Sequence, residues 1–196
     1  GMGMLVLGLT ILLTLAGCKK QETPQQPQNN QTKVADTIDK DEQKNNASKP
    51  DISAEPKETK ERVTLYFGDQ EAMYLIPEER EVVKGSKKLG EIVIAELIQG
   101  PRKASLFQTV PKEAELISLE VVDGVAYVNF NQAFQTKHWG GSAGEAMTLY
   151  SITNSLAKLP DIEKVQFLLE GKKQEAILGH ADTTEPMAPN WNMVKK

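Results

Sequence analysis

Residues 115–131 read ELISLEVVDGVAYVNFN, two alternating runs on either side of Asp123-Gly124. Such alternation predicts strands. Asp-Gly between two such runs is a strong hairpin signal, because both central residues of the tight turn need positive φ. In the first arm Leu116, Ser118 and Glu120 fall on one face and Ile117, Leu119 and Val121 on the other; in the second, Ala126, Val128 and Phe130 oppose Val125, Tyr127 and Asn129. A hairpin with an apolar face needs a second layer to bury it, and the flanking sequence supplies one.

Upstream, KKLGEIVIAELIQGP (87–101) spaces Leu89, Ile92, Val93 and Leu97 for a helix that stops at Gly100-Pro101. Before it, RVTLYFGD (62–69) and AMYLIPEEREV (72–82) predict two strands joined across Gly68–Glu71. Pro77 confines the second to an edge or a bend. Downstream, Ser142-Ala143-Gly144-Glu145 has the form of a capping box, with Ser142 as N-cap and Glu145 at the third helical position. Ala146, Leu149, Tyr150, Thr153, Leu156 and Ala157 then trace one helical face, with Pro160 just past its end. KVQFLLEG (164–171) predicts a last strand, reached from the hairpin by a crossover through that helix. The predicted order is β-β-α-β-β-α-β over residues 62–182. This is an α+β two-layer sandwich, a mostly antiparallel sheet covered by two helices. Residues 183–196 read as a loosely ordered tail anchored by Trp191 and Met193 alone.

The chain before residue 62 has a different composition. Residues 1–17 carry no charge and are rich in Leu and Gly. Met4–Ala16 is shorter than the ~20 apolar residues of a membrane span and suits the apolar segment of a signal peptide. Leu15-Ala16-Gly17-Cys18 follows, and Cys18 is the chain's only cysteine. Small residues before a cysteine fit a narrow cleavage pocket, and the thiol is the nucleophile that takes a diacylglyceryl group, so this stretch resembles a bacterial lipobox. Residues 18–61 hold no aromatic residue and consist mostly of Gln, Asn, Lys, Glu, Asp, Thr and Pro. They cannot bury enough apolar surface to offset chain entropy, and the expectation is a disordered tether. Its typical span would be roughly 35 Å and its limit about 130 Å. A lone cysteine excludes an intramolecular disulfide, so the folded part must hold itself together by its core.

A net charge of -4 and a pI near 5.4 argue against a nucleic-acid partner. The two histidines, His138 and His180, are too few and too far apart in sequence to predict a metal site. No Gly-x-Ser-x-Gly element is present, and WGGSAGE (139–145) lacks the lysine and spacing of a phosphate loop. It reads as a hinge and cap. Glu78, Glu79 and Glu81 beside Arg80 read as a solvated charge run rather than a glycan-cleaving carboxylate pair. Catalytic residues, metal and cofactor are therefore all expected to be absent. Trp139, between His138 and two glycines, is a candidate recognition anchor for a partner or a glycan. The long connection PRKASLFQTVPK (101–112) adds Arg102 and Phe107 as candidate contacts.

Taken together, ELIQGP, TVPKEAEL, ISLEVVDGVAYVNFNQAF and GGSAGEAMTLYSITNSLAKLPDIEKVQFLLEGK resemble the GerMN domain family over about Val63–Gly179. The resemblance is distributed over Gly100-Pro101, Pro111, Asp123-Gly124, Val128-Asn129-Phe130, Phe134, Gly141-Ser142, Glu145, Thr153, Val165, Phe167 and Gly171. Asn129 stands where the family often has an acidic residue. The resemblance implies a fold like the α-β-β-α-β ring-building modules of secretion and sporulation machines. It implies no enzymatic activity, and a role in sporulation or germination for a protein often made as an envelope lipoprotein. The expected location is the extracytoplasmic face of the cell membrane, held by lipid on Cys18. The expected partner is an envelope protein or a second copy, with peptidoglycan as the alternative.

Overall fold

The computed structural model describes residues 59–196. The signal-peptide reading of 1–17, Cys18 and nearly all of the 18–61 tether lie outside the described residues. The elements are β1 (Lys60–Gly68), β2 (Leu75–Val83), α1 (Leu89–Gln99), β3 (Leu116–Val122), β4 (Val125–Phe130), α2 (Ala133–Thr136), α3 (Ser142–Leu156) and β5 (Lys164–Leu169), followed by a 3-10 turn at Trp191–Met193. The fold is α+β, and α1-β3-β4-α3-β5 reproduces the α-β-β-α-β order. The strands do not join into one sheet. β1 and β2 form an antiparallel pair, while β3-β4-β5 form a second sheet in which β4 and β5 run parallel.

The hairpin β3-β4 closes through Asp123 and Gly124 at φ 48° and 78°, the positive values an Asp-Gly turn supplies. Ala126, Val128 and Phe130 are fully buried, as their alternation requires. In β3 the alternation holds only for Leu119. The register shifts between Leu116 and Ser118, so Ile117 is an extra residue opposite β4 and is left exposed. The hairpin β1-β2 turns over a longer loop than Gly68–Glu71. Asp69 Oδ1 accepts the Met73 and Tyr74 amides at 2.9 and 3.1 Å, which sets the start of β2 at Leu75. Pro77 faces Tyr66 at a register position where neither backbone donates across the pair, so no ladder bond is lost.

Helix α3 departs most from its sequence pattern. Besides Leu149, Thr153 and Leu156 it buries Met147, Thr148, Ser151, Ile152, Asn154 and Ser155. The hydroxyls are accommodated because each finds a partner. Ser155 Oγ accepts the Tyr66 amide at 2.9 Å and donates to the Ser151 carbonyl; Ser151 Oγ donates to the Tyr66 carbonyl and receives the Thr109 hydroxyl at 2.6 Å. At Tyr66 the open edge of β1 is thereby satisfied by helix side chains instead of a third strand. One hydrophobic cluster joins β1 (Leu65, Phe67), α1 (Val93, Leu97), β4 (Val128, Phe130), α3 (Leu149, Ile152) and β5 (Val165, Phe167). Phe130 and Phe134 stack within it at 4.2 Å.

The tail is not loosely ordered, contrary to its composition. Met187 exchanges both backbone bonds with Val165 on the outer edge of β5 (2.8 and 2.9 Å), and Asn154 in α3 bonds the backbone of Asn190 twice. The Lys195 amide reaches the Leu75 carbonyl on the outer edge of β2 at 3.0 Å. Main-chain pairing to two sheet edges holds it, a source of order that side-chain content does not reveal. Residues 59–196 thus contain their own core within one compact unit.

Ser155→Ala leaves the buried Tyr66 amide without an acceptor. We expect it to lower unfolding stability by about 1–3 kcal/mol in urea titrations. An unchanged midpoint would show that the hydroxyl does not finish the β1 edge.

Candidate interaction surface

Two buried carboxylates shape the loops that carry the candidate residues. Strand alternation turns Glu78 and Arg80 inward while Glu79 and Glu81 face solvent, so the charge run at 78–81 is not uniformly solvated. The Arg80 guanidinium bonds Glu78 Oε1 through two nitrogens (2.8 and 2.5 Å), Glu96 Oε2 at 2.8 Å and the Gly100 carbonyl at 2.6 Å, and lies over the Phe67 ring. Glu78 in turn accepts the Arg102 and Lys103 amides. Burial pushes the Glu78 carboxyl up, but the Arg80 hydrogen bond and the two amides outweigh it together and hold the group below the usual range. The pair pins the end of α1 to the start of the 101–112 connection.

That connection carries Arg102 and Phe107. Arg102 is exposed, with its guanidinium 3.4 Å from Glu96. Phe107 is fixed by its amide, which donates to the Gly68 carbonyl at 2.8 Å, while its ring is 55% exposed. Gly68 also abuts the Met147 sulfur in the second turn of α3.

Trp139 sits at the start of the same helix, 52% exposed and stacked on His138 at 4.7 Å. Its indole lies so close to Gly144 that a Cβ there would come within 2.6 Å of Nε1, which explains the glycine. Phe107 and Trp139 therefore border the first two turns of α3, and Arg102 sits beside Glu96 near the end of α1. The hydrogen bonds of His138 fix its tautomer. The Gly140 amide donates to Nδ1 at 3.0 Å, and Thr148 Oγ1 already donates to the Gly144 carbonyl, so Nε2 carries the proton and donates to Thr148. Burial lowers the His138 pKa, more than the nearby Glu145 charge raises it.

The capping box does not form. Gly141 occupies the N-cap position at φ 82°, no side chain caps the helix, and Glu145 turns inward. Its carboxylate, 1% exposed, accepts the His180 and Ala181 amides and lies 2.9 Å from His180 Nδ1. Sequence spacing points Glu145 to a local partner, but tertiary packing supplies one 35 residues away. Likewise Asn129 Oδ1 accepts the Gly171 amide at 2.7 Å, a role that needs an acceptor but no charge. Among the described residues no group of three or more His, Cys, Asp or Glu is placed to hold a metal ion, and no helix is long and apolar enough to cross a membrane. The exposed side chains at these loops offer apolar, aromatic and guanidinium contacts.

The fold retains neutral His138, while the unfolded chain takes up a proton near the ordinary value of 6.5. Stability at this loop is therefore present above that pH and is lost as pH falls from there through the lowered value of the fold. An NMR titration should give a His138 midpoint below 6.5, with Gly140 amide exchange speeding up on protonation. A midpoint at or above that value contradicts the assigned tautomer and burial.

No curated protein matches the chain. Among solved structures, the tandem GerMN domains of the sporulation protein GerM from Bacillus subtilis align with a TM-score of 0.55 at 23% identity, covering 67% of this chain and 45% of that one. The chain thus spans about half the length of the tandem protein. The first GerMN domain of the same protein aligns with a TM-score of 0.55 at 16% identity, covering 67% of this chain and 98% of that domain. At these identities the alignments establish the fold. The family model Germane, described as sporulation and spore germination, matches residues 64–175, more than half of the chain. By its sequence match and its fold, the chain belongs to the GerMN (Germane) family of sporulation and spore germination domains.

Proposed function

We propose that this protein is a non-catalytic lipoprotein of the cell envelope, held on the extracytoplasmic face of the membrane by lipid on Cys18, whose GerMN domain acts by protein–protein assembly in sporulation or germination. The observation that carries the reading is the order of parts along one chain. A lipobox-like Leu15-Ala16-Gly17-Cys18 and a long polar segment precede a domain of a sporulation family at 64–175. A diacylglyceryl group supplies two chains, and two hold a protein at a membrane far better than one. The tether gives the domain roughly 35 Å of typical reach. The buried carboxylates support assembly over catalysis, since Glu78 and Glu145 spend their lone pairs on backbone amides and basic side chains of their own domain. Phe107, Arg102 and Trp139 are the proposed contact residues for a partner.

A second reading is favoured by one feature, the exposed indole of Trp139 on a loop held by His138. An aromatic face of this kind stacks on sugar rings, and peptidoglycan is the glycan within reach.

Labelled palmitate fed to expressing cells should enter the full chain and not its Cys18→Ala form, and the variant should leave the membrane fraction. No incorporation into the native chain would remove the anchor. Insoluble peptidoglycan should fail to pull down the 59–196 segment. Retention that Trp139→Ala abolishes would establish the glycan reading instead.

A further inference from the structure

Edge strands offer unpaired backbone groups to other strands, and most edges here are covered. Helix hydroxyls satisfy β1 at Tyr66, Pro77 and the Lys195 amide occupy part of β2, and Met187 pairs with β5. β3 has no main-chain partner along its outer edge among the described residues. Its pairing to β4 leaves the backbone groups of Leu119 and Val121 directed away from the sheet, consistent with Lys88 Nζ reaching the Leu119 carbonyl from outside at 3.3 Å. Ile117, Val121 and Val122 are 51%, 40% and 54% exposed. Exposed apolar side chains beside an open edge are what soluble proteins normally avoid.

Two grooves flank α1 along this strand, and they carry opposite charge. The groove at the Ile117 end, about 540 Å³, is rimmed by Glu81, Glu91 and Glu96 against Lys87. The groove at the Val121 end, about 440 Å³, is rimmed by Lys84, Lys87 and Lys88 against Asp161. An edge that is acidic at one end and basic at the other is complementary to itself when reversed. A two-fold axis performs that reversal, because an isologous contact sets residue i against j and j against i.

We propose that β3 is a self-association edge, pairing antiparallel with β3 of a second copy about a two-fold axis at Leu119. This deepens the assembly reading above and rests on it. The register follows from charge. Centring on Glu120 would set two carboxylates face to face, which costs stability. Centring on Leu119 sets Ser118 against the second copy's Glu120 and Ile117 against its Val121. The acidic groove of each copy then meets the lysine groove of the other. Lys88 can release the Leu119 carbonyl and keep its 2.9 and 3.0 Å bonds to Glu120. Two copies tethered to one membrane would also meet at raised effective concentration.

The test is sedimentation equilibrium of the 59–196 segment. A dimer that dissociates on dilution and weakens with added salt is expected. Val121→Pro should weaken it by about tenfold, since each copy loses one outward amide donor while the β3-β4 ladder stays intact. Circular dichroism and the melting curve verify that ladder. Should that variant not fold, Ser118→Cys and Glu120→Cys segments replace it, because residues opposed across such a pair have Cβ atoms roughly 5 Å apart. Oxidising an equal mixture of the two variants should give mostly the mixed disulfide, one copy of each variant, over either homodimeric cross-link. The segment has no other thiol, since Cys18 lies outside it. A monomer at every concentration, a dimer indifferent to Val121→Pro, or no preference for the mixed disulfide would each overturn the proposal. None of these results bears on palmitate incorporation at Cys18, so the two failures are distinguishable.

Discussion

The structure depends on how the backbone of Tyr66 is satisfied. β1 has a strand on one side only, and its other edge runs against α3 in the interior, where an unpaired amide or carbonyl is costly. Ser151 and Ser155, one helical turn apart, present a hydroxyl to each group. That spacing fixes the rotation of α3 about its axis. The rotation in turn sends Leu149, Ile152 and Leu156 into the core shared with β5 and points Asn154 toward the tail. A helix so placed is buried on nearly every side, and its low amphipathicity follows from that position.

A second constraint is the use of buried charge. Glu78 and Glu145 are carboxylates at the heart of two separate networks, and each gathers consecutive backbone amides from a loop remote in sequence. Charge-assisted bonds of this kind are stronger than neutral ones and compensate the desolvation of the carboxylate. Their effect is to fix the start of the 101–112 connection and the segment at 180–181 against α1 and α3. Exposed groups such as Phe107 and Trp139 are then displayed from loops whose backbones are held, and a surface for recognition loses little entropy on binding when it is already ordered.

Much of the domain was legible in the chain. The β3-β4 hairpin could be read because Asp123-Gly124 meets a local requirement for positive φ, and α1 because its apolar spacing and its Gly100-Pro101 stop are both local. Family membership was legible from residues scattered across 63–179. The candidate surface was legible only as residue types. Trp139 beside two glycines suggested exposure, and the structure agrees. That His138 holds the loop through Gly140, or that Arg102 sits beside Glu96, depends on contacts no spacing encodes.

The order of amino acids was enough to settle the elements whose causes lie within a few residues: turns that need positive φ, apolar periods and helix stops. The polar composition of residues 18–61 and the single cysteine are likewise plain in the chain. Folding in three dimensions was needed to divide the strands into two sheets, to squeeze Ile117 out of register and to turn Glu145 inward to His180 and Ala181. It was needed, too, for a proline-containing tail to cover two sheet edges. In each case a backbone or carboxylate group had to find a hydrogen-bond partner far along the chain, and the choice among distant partners is made by the packing of the whole core.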